Sequence, residues 1–301
     1  MTEVVMVHGI GPLDESPDEM RADWVGALTG TLRKAGHTAH AQGLESGRTS
    51  VSMAYYRHLF KPFEPKNEWD CPLPETLARI GGDAAQDILG NVARHATDPI
   101  DRADADRELA ALGKDTGPEQ GVMEIFRLAV AGLAHVGPLA QSGFATLSSR
   151  GMFHLGQVAG YLGDESVRKQ AVESVLACVT PRTRVVFAHS LGTVVAYEAL
   201  HRVNHPLPLL VTFGSPLGMR TIVRERLRPN PLRVPPRLER WVNVVDRDDF
   251  IVAKLHLERL FPCDGGVFES SRKVRNPNLN PHAAVHYLGH PETALPLTEV
   301  L

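Results

Sequence analysis

Apolar and polar positions change period several times along the chain. Residues 3–8, EVVMVH, are a short apolar and β-branched run ending in His-Gly, the pattern of a buried strand. From Arg21 to Lys34 the apolar residues Trp24, Leu28 and Leu32 recur on one helical face. Acidic residues precede that segment, and Arg33-Lys34 followed by Gly36 close it as helix ends are closed. Residues 49–56, TSVSMAYY, read as a second strand. Between about 60 and 163 no strand pattern occurs, and the segment reads as a helical cap or insertion. The alternation then resumes: a helix over 164–179, a strand over 184–189, a helix over 191–203 and a strand over 208–214. After an Arg- and Pro-rich excursion at 220–237 come strands at 240–246 and 266–274 and a terminal helix opening near 281. Strands alternating with helices predict an α/β fold: one domain over 1–301, built on a mostly parallel sheet with helices on both faces.

Composition narrows the chemistry. Net charge is −3, so no global basic field favours nucleic acid as a partner. Cys71, Cys178 and Cys263 are far apart, and no CxxC or CxxH spacing occurs, which points away from a disulfide framework and a structural zinc site. The start MTEVVMVHGIG has neither the basic region nor the long apolar region of a secretory leader, and a cytoplasmic location is expected. The uncharged stretch 128–149 contains a proline, glycines, a histidine and a glutamine, so it is a poor span and reads as cap core, with cover for an apolar acyl pocket or an oligomer or membrane contact as the alternatives. The acids Asp98, Asp101, Asp104 and Asp106 lack the glycine and terminal glutamate of a calcium loop and read as a solvated helix face. Arg220, Arg224, Arg226, Arg228, Arg233, Arg237 and Arg240 crowd the excursion, where a solvated lid is the default and a lipid or anionic contact the alternative. Tyr55 and Tyr56, at the end of the second strand, either line a pocket or pack.

The stretch VVFAHSLGTVVAYEAL, 185–200, carries the sharpest signal. A serine stands where an apolar strand turns into a helix, flanked by Ala188 and Gly192 in the form A-x-S-x-G. That is the layout of a nucleophile elbow, in which small neighbours let strand and helix pack closely while the serine Oγ projects above the strand ends. A serine that merely caps the helix is the structural alternative. Downstream, WVNVVDRDDFIVA places Asp246, Asp248 and Asp249 at a strand end, and NPHAAVHYLGHPET offers His282, His286 and His290.

Taken with VMVHGIG near the start and LLVTFGSPLG after the serine helix, these segments resemble the α/β-hydrolase superfamily, in its lipase- and esterase-like branch. The resemblance covers 1–56 and 164–290. It implies a Ser-Asp-His order along the chain, with Ser190 as nucleophile and hydrolysis of an ester or thioester in a small-molecule acyl substrate of unspecified chain length, with no cofactor or metal. The form Asp-x-aliphatic favours Asp249 as the acid, with Asp246 the alternative. His282, the first histidine after the NPNLNPH loop, is favoured as the base, with His286 the alternative. Main-chain N–H groups of Ile10 and Leu191 are expected to form the oxyanion hole, and His8 to brace its loop. Acyl transfer or amide cleavage by the same residues, and a binding module with an inactive triad, are the competing functions.

Overall fold

The computed structural model describes residues 3–11, 14–63, 74–115, 128–129, 131–133, 135–136, 149–220, 225–249, 251–263, 267–277 and 280–301. Cys71, Arg224, Phe250 and most of the uncharged stretch 128–149 lie outside the described residues. Strands β1 (Val4–Val7), β2 (Val51–Ala54), β3 (Val185–His189), β4 (Leu209–Phe213), β5 (Trp241–Asp246) and β6 (Arg272–Val274) form a six-stranded sheet in the order β2-β1-β3-β4-β5-β6. All of its pairings are parallel.

Burial explains why the inner strands are mostly apolar, with Thr212 and Asn243 as a hydrogen-bonded polar pair within β4 and β5. Every residue of β1, β3, β4 and β5 is buried, as expected when helices cover both faces of a parallel sheet. The pleat sends alternate side chains to opposite faces. Val5, Val7, Val186, Ala188 and Leu210 join a core with α3 (Glu75–His95), α5 (Ser149–Gly163), α6 (Glu165–Cys178) and α7 (Leu191–Leu200). Val4, Met6, Val185, Phe187, Leu209 and Val211 join a second core with α1 (Pro17–Lys34), α2 (Thr38–Glu45), α8 (Ala284–Leu288) and α9 (Pro291–Ala294). The charged helix α4 (Pro99–Asp115) packs on α3.

Segment 60–163 holds no strand among its described residues, and its helices α3 and α5 share buried side chains with the sheet. Several boundaries differ from the sequence expectation. Helix α1 begins at Pro17, ahead of Arg21, because Ser16 and Glu19 form a reciprocal capping box. The last strand is Arg272–Val274 rather than 266–274, with one isolated bridge from Phe268 to Trp241; the apolar pattern around Phe268 reflects packing on Trp241, not an extended ladder. The terminal helix opens at Ala284, so His282 precedes it and His290 follows it, and the three histidines do not share a helical face. Helix α2 was not expected from its polar sequence; it buries Ala41 and Leu44 against the second core.

Among the described residues no helix is long and apolar enough to cross a membrane. Three arginines of the excursion are tied down in ion pairs: Arg226 with Asp83, Arg228 with Glu165, and Arg240 with Glu269 and Glu299. Asp98 lies just before α4, and Asp101, Asp104 and Asp106 lie in its N-terminal half, where Asp104 pairs with Arg107.

Candidate active site

The turn between β3 and α7 is strained at one residue. Ser190 has φ 53° and ψ −133°, and among the described residues it alone has a positive φ without being glycine. Such a conformation costs on the order of 1–3 kcal/mol and persists only where the surroundings enforce it. The surroundings here are backbone. A Cβ on Gly192 would lie 2.3 Å from the His8 carbonyl oxygen and 2.4 Å from that of Val7, so α7 can start against β1 only with glycine at that position. A Cβ on Gly9 would lie 2.5 Å from Ser190 Cβ, which fixes the loop after β1 directly beside the serine.

Ser190 occupies the N-cap position of α7, yet its side chain makes no capping bond. Its Oγ instead lies 2.8 Å from His282 Nε2. His282 Nδ1 lies 2.9 and 2.8 Å from the two carboxylate oxygens of Asp249. A carboxylate only accepts, so Nδ1 carries the proton and Nε2 presents its lone pair to the serine hydroxyl. Ser190 and Asp249 are buried at 3% and 1% exposure, while the His282 side chain keeps 17%, enough to meet a ligand from the open side.

Asp249 is held in turn. Its Oδ1 accepts the Ile251 N–H at 3.1 Å and its Oδ2 the Tyr287 hydroxyl at 2.7 Å. The Tyr287 oxygen also accepts the Asp246 N–H at 3.1 Å. Burial and the neighbouring Asp249 push the Tyr287 hydroxyl well above its ordinary range, so it stays a donor. Gly214, at φ 56°, makes room: a Cβ there would sit 3.1 Å from both Asp249 Oδ2 and His189 Nε2.

The alternative acid has a different task. Asp246 ends β5, and its carboxylate oxygens accept backbone N–H groups of Asp248 and Asn276. Asn276 donates from Nδ2 to the Pro281 carbonyl at 2.6 Å, immediately before His282, and its Oδ1 lies 3.0 Å from His290 Nε2. Asp246 and His290 thus serve the loop that delivers His282. Burial raises the Asp246 carboxyl, opposed by the two N–H donors. His286, the alternative base, bonds the Asn280 carbonyl through Nδ1 at 2.9 Å and does not reach Ser190. Asp248 faces outward and accepts from Thr97 Oγ1. Among the described residues no three His, Cys, Asp or Glu side chains gather as metal ligands would.

Two buried histidines brace the site as neutral rings. His189 donates from Nε2 to the His282 carbonyl at 2.8 Å, and its ring lies 4.7 Å from that of His282. Burial, then the proximity of His282, pull it well below the usual imidazole range. His8 donates from Nδ1 to the Gly9 carbonyl at 2.7 Å and accepts the Tyr56 N–H at Nε2, 3.2 Å away. Burial, then Arg57, lower its pKa to about 3. Tyr56 stacks on His8 and bonds its carbonyl, so it packs under the loop rather than lining a pocket; Tyr55 bonds the Glu15 carbonyl.

The loop after β1 is clamped from α5. Gln157, fully buried, accepts the Gly11 N–H at 3.1 Å and donates to the Gly11 carbonyl at 2.9 Å. Ile10 and Leu191 both face a cavity that opens at Ser190. The N–H of Leu191, the first residue of α7, has no intrahelical partner by construction.

Sequence reasoning missed Gln157, His189 and Tyr287. His189 adjoins the serine, and its place at the strand end was the available signal. Nothing local marks Gln157 or Tyr287, because their partners are 146 and 38 residues away. Comparison with protein-family models, curated proteins and solved structures gave no match.

Proposed function

We propose that this chain is a serine hydrolase of the α/β-hydrolase type, cleaving a carboxylic ester or thioester through an acyl-enzyme on Ser190. The observation that carries the reading is the use of the Ser190 side chain. A capping serine would bond the first turn of α7; this one bonds no helix N–H and points at an imidazole that a carboxylate orients. The all-parallel sheet flanked by helices is compatible with that fold type.

In the proposed reaction the Ser190 proton passes to His282 Nε2 as Oγ bonds the substrate carbonyl carbon. The carbonyl oxygen becomes an oxyanion held by the N–H groups of Ile10 and Leu191. Asp249 stabilises the imidazolium and keeps its tautomer. The carbon–leaving-group bond then breaks, and His282 returns the proton to the departing oxygen or sulfur. Water repeats the sequence on the acyl-enzyme: it gives a proton to His282, its oxygen bonds the acyl carbon, and Ser190 leaves with that proton, releasing the acid. Folding strain at Ser190 is offset by the packing of Gly9 and Gly192 and fixes the attacking oxygen before substrate arrives.

The decisive experiment treats the folded protein with a small fluorophosphonate and locates the adduct by mass spectrometry. A single adduct on Ser190, absent from Ser190→Ala and from His282→Ala, is expected. A folded protein whose Ser190 stays unlabelled would sink the reading.

A further inference from the structure

The cavity at Ser190 sets a size limit that the reaction itself does not require. It spans about 340 Å³ of empty space, part of it open to solvent, and the centre of a water molecule can occupy only about 20 Å³. Roughly 10–15 Å³ of such volume is needed for one water-sized group. The walls are Ala84 and Ile88 of α3, Leu155 and Val158 of α5, and Met219 and Ile251 beyond the strand ends. Among the described lining residues Ser190 supplies the one polar side chain. Beyond Ser190, none of their side chains would pair a charged or hydroxylated acyl group, whose burial without a partner is costly.

Which half of the substrate enters follows from the position of the base. His282 is not among the lining residues, and His282 must give its proton to the leaving atom. The leaving group therefore departs on the histidine side, and the group inside the cavity is the acyl chain. Ala84, Ile88 and Leu155 are at most 2% exposed and belong to the core that α3 and α5 share with the sheet, so the walls do not yield without disturbing packing.

We infer that the site is built for an uncharged aliphatic acyl group of about two or three carbons, with Ile88 and Leu155 of the 60–163 segment as the residues that set the limit. This rests on the serine-hydrolase reading and adds substrate class to it. Overpacking of a filled core translates into a penalty of roughly 10- to 100-fold in rate for each chain that must displace these walls.

The test uses two fluorophosphonates that differ only in the alkyl group on phosphorus, ethyl or octyl, with Ser190 labelling followed by mass spectrometry. The ethyl reagent is expected to label wild type roughly 10- to 100-fold faster. Leu155→Ala should shrink that ratio to about threefold or less by widening the cavity. Ile88→Val, a gentler change, should shrink it partially if Leu155→Ala fails to fold. A parallel series fixes the acyl group as acetyl and lengthens the alcohol from methyl to octyl; rates are expected to change little. Equal labelling by both reagents, or an octyl preference, would overturn the size limit while leaving Ser190 confirmed as nucleophile. Discrimination on the alcohol but not on the phosphorus alkyl group would place the leaving group in the cavity and also refute the inference. Absence of labelling by either reagent would instead refute the hydrolase reading on which it rests.

Discussion

Replacing Tyr287 by phenylalanine removes one oxygen atom and leaves the ring volume, so packing in the second core is nearly untouched. Two hydrogen bonds go with that oxygen. One is donated to Asp249 Oδ2 at 2.7 Å, and the other is accepted from the Asp246 N–H at 3.1 Å. A bond to a charged acceptor is worth about 1.5–3 kcal/mol, and a buried N–H left alone costs about 1–3 kcal/mol. The two share an atom and do not add fully, so Tyr287→Phe should destabilise the fold by about 3 kcal/mol. Urea unfolding at pH 7 reads this directly as a lower midpoint with unchanged slope.

Under the proposed function, the same substitution should have a catalytic consequence that a structural role alone would not produce. Asp249 keeps the Ile251 N–H on Oδ1 but loses the donor that stops its carboxylate from rotating away from His282. The carboxylate itself remains, so the rate loss should be about 10-fold, far less than when the acid is removed. The assay is the rate of Ser190 labelling by a small fluorophosphonate, measured below the urea transition. A variant that loses stability but labels at the wild-type rate would show that Tyr287 supports β5 and not the triad. A variant unchanged in both would refute the hydrogen-bond argument altogether.

Asp249→Asn should cost about 1–3 kcal/mol of stability, because its NH2 must face either the Ile251 N–H or the Tyr287 hydroxyl, and should lower ester turnover by about 10³- to 10⁴-fold, whereas Asp246→Asn should lose one of its two accepted N–H bonds, about 1–3 kcal/mol of stability and little intrinsic rate. The reverse ranking in turnover assays would reassign the acid. Stability should fall as pH drops: the folded pKa of His8, about 3, lies below its ordinary 6.5, so protons favour the unfolded chain and stability present above pH 6.5 is lost on acidification. Between pH 7 and pH 5 His8 alone should cost about 2 kcal/mol, and buried His189 adds a loss of the same sign. Urea midpoints at the two pH values measure it, and a midpoint that does not move would contradict neutral burial of both rings. Gly9→Ala places a Cβ 2.5 Å from Ser190 Cβ and should cut Ser190 labelling by about 100-fold or more with a folded circular-dichroism spectrum; wild-type labelling would show that the loop after β1 does not abut the serine.

The inner strands and the serine turn could be read from the chain because their causes leave a mark in the local sequence. A strand buried on both faces is mostly apolar, and β1, β3, β4 and β5 are so, with Thr212 and Asn243 paired to each other. The turn at Ser190 needs glycine two residues on, because a β-carbon there would meet the backbone of β1. What could not be read depends on distant partners. Strand β6, Arg272–Val274, is only partly buried and carries two basic residues; it exists because β5 offers it an edge. Helix α2 has no side-chain cap and little apolar pattern, and forms where α1 gives it a surface. The choice between Asp246 and Asp249 turned on which carboxylate the backbone had already filled. Asp246 meets N–H groups of Asp248 and Asn276, while Asp249 meets His282, and strand-end position alone is silent on that difference.

The two faces of the sheet divide the site between them. His189 contacts Trp24, Phe213 and Tyr287, and Tyr287 reaches Asp249, so the acid–base half leans on the core made with α1 and α8. The cavity and the Gly11 clamp lean on α3 and α5, through Ile88, Leu155 and Gln157, on the opposite face. Ser190 stands at the end of β3, where the two halves meet. Under the proposed function, side chains on one face set what enters and those on the other set how the proton moves, and the close-packed sheet between them transmits strain from one half to the other. Substitutions among the apolar walls between β2 and β3 then keep the Asp249–His282–Ser190 geometry only where they conserve packed volume and Gln157 still holds the Gly11 peptide.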